Sequence, residues 1–593
     1  MCGIVGAIGS LDFRSYLLNG LHKLEYRGYD SCGVYISNGK NHGLYKSIGT
    51  VDSLESKVPL NLSFNPHVGI AHTRWATHGG VTLSNCHPVY SSDHRIMLVH
   101  NGVIENFESI RNFLIEKGIS FSGNTDSEVI ANLLSFILSI DNSMTKAIER
   151  MMQELNGSYA LAIIDTYDTN KLYFAKNLSP LLIGKGEGAN YLASDQIPMA
   201  DITHEFIDLK DGQYGYMSKD DIHLFEKGEE INFEFVSRSS ENLDVSLNGY
   251  EHYMLKEIEE TPSCIERLIK NYIFRKKYTF DKKLLRVIER STEIIFLACG
   301  TSYHASLVAV DILRARGKIA NAYIASEFAY HPVIMTDNPL FIIISQSGET
   351  ADIIKCLPFI TDNAYHLLTI TNNRYSSLAR KAEYYLNLYS GVEVSVASTK
   401  VYQSELVLLL MLFDAIYMDL NLIESLHKEL LVLKDIINRK EEIKPIAKEL
   451  ANYEHCFILG RGLDYDSALE AALKIKEVTY IHASAVQAGE LKHGPIALVS
   501  QDFPSLAFIS EEKTAHQMRN GFQEVKARGG KVFVISSKSL AEENDSFVVL
   551  DSTIYLAPMA KVMVAQYLTY FITLEKGFNV DKPRNLAKSV TVE

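Results

Sequence analysis

The chain opens MCGIVG, with a cysteine directly behind the initiator methionine. Removal of Met1 would leave a thiol and a free α-amine on Cys2, and an α-amine of near-neutral pKa can act as general base to the thiol beside it. Further stretches concentrate the other groups that amide cleavage needs. LEYRGYDSCG (24–33) holds Arg27 and Asp30 in a glycine-broken loop. AHTRWATHG (71–79) gathers His72, Arg74, Trp75, Thr77 and His78, with the only tryptophan of the chain. VHNGVIEN (99–106) sets Asn101-Gly102 at the end of an apolar strand. Asn101 and the Gly102 N–H can stabilise an oxyanion. Arg74, with Asp126 from GNTDSEV (123–129), can hold the carboxylate and ammonium of an amino acid. Taken singly, Asn-Gly is a common hairpin turn and Asp126 a helix cap behind Thr125 or Asn124. Their joint presence with Cys2 favours amide chemistry.

A second group of residues suits a phosphorylated sugar. CGTS (299–302), SQSGET (345–350) and SVASTK (395–400) put small hydroxyl residues at strand-to-helix turns, where helix N-termini favour phosphate. The cradle expected from them comprises Cys299, Gly300, Thr301, Ser302, Ser345, Gln346, Ser347, Thr350 and Ser398. In LEAALKIKEVTYIHASAVQAGELKHGP (469–495), Glu470, Lys474 and Glu477 share one helix face, and His493 sits beside a Gly-Pro turn. A solvated salt-bridge stripe is the plain reading of that face. Near a phosphate cradle, the same carboxylate, lysine and histidine suit aldose–ketose proton transfer without a metal. The tail DKPRNLAKSVTVE carries Lys588 and ends apolar, which favours docking over disorder.

These residues need elements to hold them. Up to about residue 235, short strand-like runs (CGIVGAI, HVGIAHT, RIMLVHNG, YALAIIDT, LYFAKN, FIDLKDGQYGYM) alternate with helical stretches such as SEVIANLLSFILS and SMTKAIERMMQELNG. This order predicts a layered α+β domain over 1–235. Residues 236–252, rich in Ser and Asn, read as a linker. Beyond it, apolar strands alternate with helices (EIIFLACG with a helix from about Tyr303, LFIIISQSGETADII, HLLTITNN, CFILGRGLDYDSALEAALKIKE), which predicts parallel sheets covered on both faces. FLACGTSYHASLVAVDILRA and ILGRGLDYDSALEAALKIKE match in plan at an offset of 162 residues, Gly300 answering Gly462, Tyr303 Tyr465 and Leu307 Leu469. ASEF (325–328) and AGEL (488–491) follow each helix in turn. A duplicated doubly wound subdomain explains the echo, with copies at 253–430 and 431–580 and a tail at 581–593 that closes the sugar site.

Composition narrows the class. The 593 residues exceed one core, and 47% hydrophobic with 22% charged residues describe a globular chain. A formal charge of −14 argues against a nucleic-acid partner. The seven cysteines are scattered without a CxxC pair, which fits a reducing compartment and offers no zinc signature. No basic n-region precedes the first apolar residues, and the longest apolar run, 406–413, is too short to span a bilayer. A cytoplasmic protein with no membrane partner, metal or cofactor is expected.

The MCGIVG start, EYRGYDS, AHTRWATHG and HNGVIEN resemble the glutaminase domain of class II (N-terminal-nucleophile) amidotransferases, in that family's order. The second half resembles two sugar isomerase (SIS) domains, and the tail KPRNLAKSVTVE is specific to amidotransferases that aminate fructose 6-phosphate. The resemblance implies an α+β layered glutaminase domain followed by two α/β doubly wound SIS subdomains with parallel sheets. It implies hydrolysis of L-glutamine and transfer of the ammonia to fructose 6-phosphate, giving glucosamine 6-phosphate in a homodimer. Under it Cys2 is the nucleophile; Arg74, Thr77, His78 and Asp126 hold glutamine; Asn101 and Gly102 form the oxyanion hole. Trp75 gates an ammonia channel, with Arg27 in the neighbouring loop. Glu477 is the C1–C2 base with Lys474 beside it, His493 of the neighbouring subunit opens the sugar ring, and Lys588 forms a Schiff base with the ketose. Cys32 and FAYHP (328–332) depart from the commonest bacterial pattern without touching these roles. Two rivals remain weaker: a phosphoribosyl-pyrophosphate amidotransferase lacks its acidic pyrophosphate loop here, and a non-catalytic sugar-phosphate sensor has little use for Cys2, Glu477 and Lys588 together.

Overall fold

In the computed structural model, residues 2–238, 243, 245–419 and 421–590 are described. Residues 239–242 and 244 of the expected linker and 591–593 of the tail lie outside them. The chain divides into two compact units, Met1–Asp244 with Ala587–Glu593, and Val245–Leu586.

The first unit is built on two antiparallel sheets. One has eight strands in the order Val236–Ser237, Glu205–Asp208, Leu182–Lys185, Ala189–Ala193, Gly3–Gly9, Val68–Arg74, Ser31–Ser37, His42–Ile48. The other has seven: Glu229–Ile231, Ile222–Glu226, Gln213–Met217, Asp168–Asn177, Gly157–Asp165, Ile96–Ile104, Val89–Tyr90. Alternation along the strands assigns the layers. Ile4 and Ile8 join Val99, Ala162 and Phe174 in a core between the sheets, whereas Val5 and Ala7 pack with Leu17 and Leu21 of the helix Phe13–Leu24. The outer face of the second sheet is covered by the helices Asp126–Leu138 and Met144–Glu154. Burial on both faces is why Gly3–Gly9 and Val68–Arg74 show no polar-out alternation.

Two details differ from the sequence reading. FIDLKDGQYGYM is not one strand: Glu205–Asp208 and Gln213–Met217 lie in different sheets, because the turn at 209–212 carries the chain from one to the other. The polar stretch from 236 begins with an edge strand, Val236–Ser237, paired to Glu205–Phe206, since an edge needs hydrogen bonds rather than apolar side chains.

The second unit repeats one plan twice. Its five-stranded parallel sheets run Ile319–Ile324, Glu293–Ala298, Pro339–Ile344, His366–Thr371, Tyr384–Asn387 and His482–Gln487, His455–Gly460, Ser505–Ile509, Val532–Ser537, Phe547–Val549. The strand order is the same in both, as the echo at 162 residues implies. One core joins the inner faces of both sheets through the helices Lys400–Tyr417, Leu463–Thr479 and Ala557–Glu575. Among the described residues no helix is long and apolar enough to cross a membrane; the run 406–413 is wholly buried in that core.

Candidate active sites

Cys2 stands immediately before the central strand Gly3–Gly9 and is partly buried. Its Sγ accepts the Trp75 N–H at 3.2 Å and lies 3.5 Å from the Trp75 carbonyl. Burial pushes the thiol above its ordinary pKa, while the chain's α-ammonium, the Trp75 N–H and Arg74 pull it back. A thiol so placed needs a base to become a nucleophile, as a terminal α-amine could supply.

Asn101 arrives on the adjoining sheet, in the strand Ile96–Ile104, and donates Nδ2–H to the Cys2 carbonyl at 3.0 Å. Gly102 beside it has φ +135°, and a Cβ there would stand 2.0 Å from the Ser158 carbonyl, so only glycine fits. His72 Nε2 lies 3.0 Å from both Asn101 Oδ1 and the His100 carbonyl.

The residues expected to hold glutamine are placed unevenly. Asp126 opens the helix Asp126–Leu138 behind the N-cap Thr125, and is buried with Oδ2 accepting the Ile104 N–H (3.0 Å) and Oδ1 the Ser127 N–H (2.9 Å). Arg74 donates to the carbonyls of His78 (2.6 Å), Gly79 (3.0 Å) and Gly80 (3.3 Å), so it shapes the loop after its strand as well as charging it. His78 packs edge-on against Phe107, and Thr77 is exposed. Asp30 was legible as a loop residue only; it accepts the Ala76 N–H at 2.8 Å and fixes the loop from the other side. Trp75 meets the Tyr29 ring edge-on at 6.1 Å. Arg27 is buried and bonded to Asp195 and to Tyr26 Oη (3.2 Å), an anchored pair within the unit.

In the second unit the hydroxyl residues of CGTS and SQSGET follow the carboxyl ends of the adjacent parallel strands Glu293–Ala298 and Pro339–Ile344. That is the point where the strand order reverses, the usual ligand crevice of such sheets. Ser345 Oγ meets Thr350 Oγ1 at 2.9 Å and accepts the Gly348 N–H at 3.1 Å, while the Gln346 carbonyl accepts the Asn372 N–H, so the loop is pre-shaped. The helix after Cys299 starts at Gly300 rather than near Tyr303, because glycine (φ +54°) makes the turn at once. Thr301 and Ser302 therefore lie on its first turn, with Ser302 Oγ donating to Glu405 at 2.8 Å. At SVASTK the expected anion seat is largely taken: Glu393 accepts the N–H groups of Thr399 (2.9 Å) and Val401 (3.1 Å), while Ser398 is partly exposed.

The face Glu470, Lys474, Glu477 is not a solvated stripe. Lys474 is 1% exposed and Glu470 0%. Lys474 Nζ lies 2.7 Å from Glu477, 3.5 Å from Glu470 and 3.0 Å from Thr301 Oγ1, and Thr301 donates in turn to Glu470 at 3.1 Å. Burial alone would pull the Lys474 ammonium down, but Glu477 and Glu470 outweigh it and hold its pKa above the ordinary value. His304, which sequence reasoning passed over, sits one turn from Gly300 and places Nδ1 2.8 Å from Glu470. Thr301 thus joins the expected cradle to the charged cluster.

Known proteins match over the whole chain. Residues 72–200 match the glutamine amidotransferase domain family, and 287–415 and 449–575 each match the SIS domain. Curated relatives from Listeria monocytogenes (41% identical) and Geobacillus kaustophilus (40%) align over 100% of both chains, and both are named glutamine–fructose-6-phosphate aminotransferase [isomerizing]. The chain belongs to this family. A solved C-terminal domain of the glucosamine-fructose-6-phosphate aminotransferase from Francisella tularensis matches at 35% identity and TM-score 0.53, over 57% of this chain and all of the other.

His493 and Lys588 of the expected set stand on other segments of the chain. His493 ends a single 3-10 turn, Leu491–His493, and is exposed. Lys588 is partly buried in the terminal segment grouped with the first unit.

Proposed function

We propose that the chain hydrolyses L-glutamine at Cys2 and delivers the ammonia to fructose 6-phosphate, which it isomerises to glucosamine 6-phosphate. The observation that carries this reading is the pairing of two sites in one chain, the Cys2 thiol with the Asn101 amide 3.0 Å from the Cys2 carbonyl, and a buried lysine–carboxylate cluster tied to a threonine of the hydroxyl segment CGTS.

In the first unit, Cys2 gives its proton to the α-amine and attacks the side-chain amide; the Asn101 Nδ2–H and Gly102 N–H carry the oxyanion. Ammonia leaves with a proton from the α-ammonium, and water releases glutamate from the thioester. Asp126 and Arg74, with Thr77 and His78, hold the amino-acid end. Trp75, whose N–H meets the thiol, gates the ammonia, with Arg27 anchoring the adjoining loop.

In the second, Cys299 to Ser302, Ser345 to Ser347, Thr350 and Ser398 hold the sugar phosphate. His493 opens the ring, in a homodimer from the neighbouring copy. Lys588 condenses with the C2 carbonyl with loss of water, and ammonia displaces it by transimination. Glu477 then moves the C1 proton to C2 while the O1 hydroxyl proton passes to the imine nitrogen, leaving an aldehyde at C1 and an amine at C2. Lys474, locked as an ammonium between Glu470 and Glu477, steadies that base and is unsuited to imine formation.

The test is product analysis by mass spectrometry with L-glutamine and fructose 6-phosphate. Glucosamine 6-phosphate from the wild type and none from Cys2→Ala is expected; glutamate without amino sugar would refute the transfer.

A further inference from the structure

We propose that His72 is the positioning residue of the oxyanion arm: its Nε2–H holds Oδ1 of Asn101 and so aims the Asn101 NH2 group at the nucleophile. The inference rests on the glutaminase reading and deepens it.

The hydrogen-bond logic fixes every atom. His72 Nε2 is 3.0 Å from the His100 main-chain carbonyl, which can only accept, so Nε2 carries the hydrogen. The same Nε2 is 3.0 Å from the Asn101 side-chain amide, which must therefore turn its oxygen toward His72. Its Nδ2 then faces the Cys2 carbonyl at 3.0 Å. One Nδ2–H is used at that carbonyl, and the other, without a hydrogen-bond partner among the described residues, can meet an oxyanion. When charge develops and draws the NH2 group toward it, Oδ1 is the end that keeps the amide plane from following, and His72 is what holds Oδ1.

The ring itself is clamped. His72 is 0% exposed and stacks on His87 with centroids 4.2 Å apart and planes 27° apart. His87 Nδ1 accepts the His100 N–H at 3.3 Å, so the stacked partner is tied to the strand that bears Asn101. Burial, against the raising effect of Asn101 and His100, brings His72 down to about 3, and it stays neutral with a single N–H. Its other nitrogen, Nδ1, is buried without a hydrogen-bond partner among the described residues. An orphaned buried acceptor is a cost that an apolar residue of similar shape would avoid, and it is offset here by the one N–H that aims Asn101.

The experiment uses the full-length enzyme with His72→Phe, which keeps the ring and loses the N–H, and His72→Gln, which restores a donor. Glutamine hydrolysis gives kcat and KM. Affinity is measured for glutamate γ-semialdehyde, which adds to Cys2 as a tetrahedral hemithioacetal, and for glutamate, which does not. Alkylation of Cys2 by iodoacetamide reads the thiol without an oxyanion. His72→Phe is expected to lower kcat about 100-fold and aldehyde affinity in parallel. KM, glutamate affinity and alkylation are expected to stay within about threefold, and His72→Gln to recover at least about tenfold. An unchanged kcat, or an equal fall in aldehyde binding, glutamate binding and alkylation, would overturn the proposal. Should His72→Phe not fold, the ratio of aldehyde to glutamate affinity in His72→Gln, set against His72→Asn with its shorter reach, decides the same point. A wild type that hydrolyses no glutamine would overturn the glutaminase reading itself; a competent wild type with indifferent His72 variants would overturn this inference alone.

Discussion

Cys2 and Lys474 show how setting, rather than residue type, decides which protonation state a side chain holds. Lys474 is buried between two carboxylates that hold its proton, so it stays an ammonium. Cys2 is partly buried, and desolvation outweighs the chain's α-ammonium, the Trp75 N–H and Arg74, so its pKa rises. The sign of the consequence is definite. With the folded pKa raised, the thiol form dominates at neutral pH, and thiolate grows as pH increases. Alkylation of Cys2 by iodoacetamide in the absence of glutamine should therefore climb as pH increases above 7, by up to about tenfold per pH unit. A rate independent of pH between 6 and 8 would show a preformed thiolate and remove the need for the α-amine as base. Residue types were legible in the sequence; their partners were not. His304 and Glu470 lie far apart in the chain and meet only because two helices pack, and no spacing rule links them.

At the scale of elements, the sequence reading captured what periodicity encodes. The parallel strands, the duplication and the helix behind Thr125 follow from apolar runs, an echo and a cap. It missed what depends on which N–H groups are already spoken for. SVASTK looks like SQSGET in residue type, yet Glu393 occupies its helix start, and Glu257 accepts from Ser395 at 3.2 Å just before it. In SQSGET the loop depends on one glycine. Gly348 has φ +69°, and a Cβ there would stand 2.1 Å from Ser376 Oγ and 2.4 Å from its Cβ. Gly348→Ala should cost about 1–2 kcal/mol from the left-handed backbone alone, with the clash added. Because Ser345 Oγ receives the Gly348 N–H, the loss should appear as a raised KM for fructose 6-phosphate. Glutamine hydrolysis, housed in the other unit, should keep its KM and kcat. A KM for the sugar within error of wild type would mean that the loop does not shape the cradle.

The whole second unit is closed on itself by its two ends. Asp581 places Oδ2 on the Tyr253 N–H (2.9 Å) and Oδ1 on the Met254 N–H (2.8 Å), and its carbonyl accepts from Val396 (3.1 Å). A residue near the end of the chain thereby caps the unit's first helix, Tyr253–Glu259, and Val580 and Met254 belong to the core shared by both sheets. One core serving both copies predicts that they unfold together, and that the clamp contributes to that single transition. Asp581→Ala removes an acceptor pair at a helix N-terminus, worth about 1–2 kcal/mol. The urea midpoint of the second unit should fall with an unchanged slope, and amide exchange at Tyr253 and Met254 should quicken. The clamp also bears on the tail. Lys588 follows Asp581 by so few residues that the extended chain carries it no farther than about 25 Å from that anchor. On the proposed role of Lys588, the variant should form amino sugar more slowly than its loss of stability explains, while hydrolysing glutamine at the wild-type rate. An unshifted midpoint with wild-type exchange would show that the ends are held by the core alone, and that Asp581 does not set the reach of Lys588.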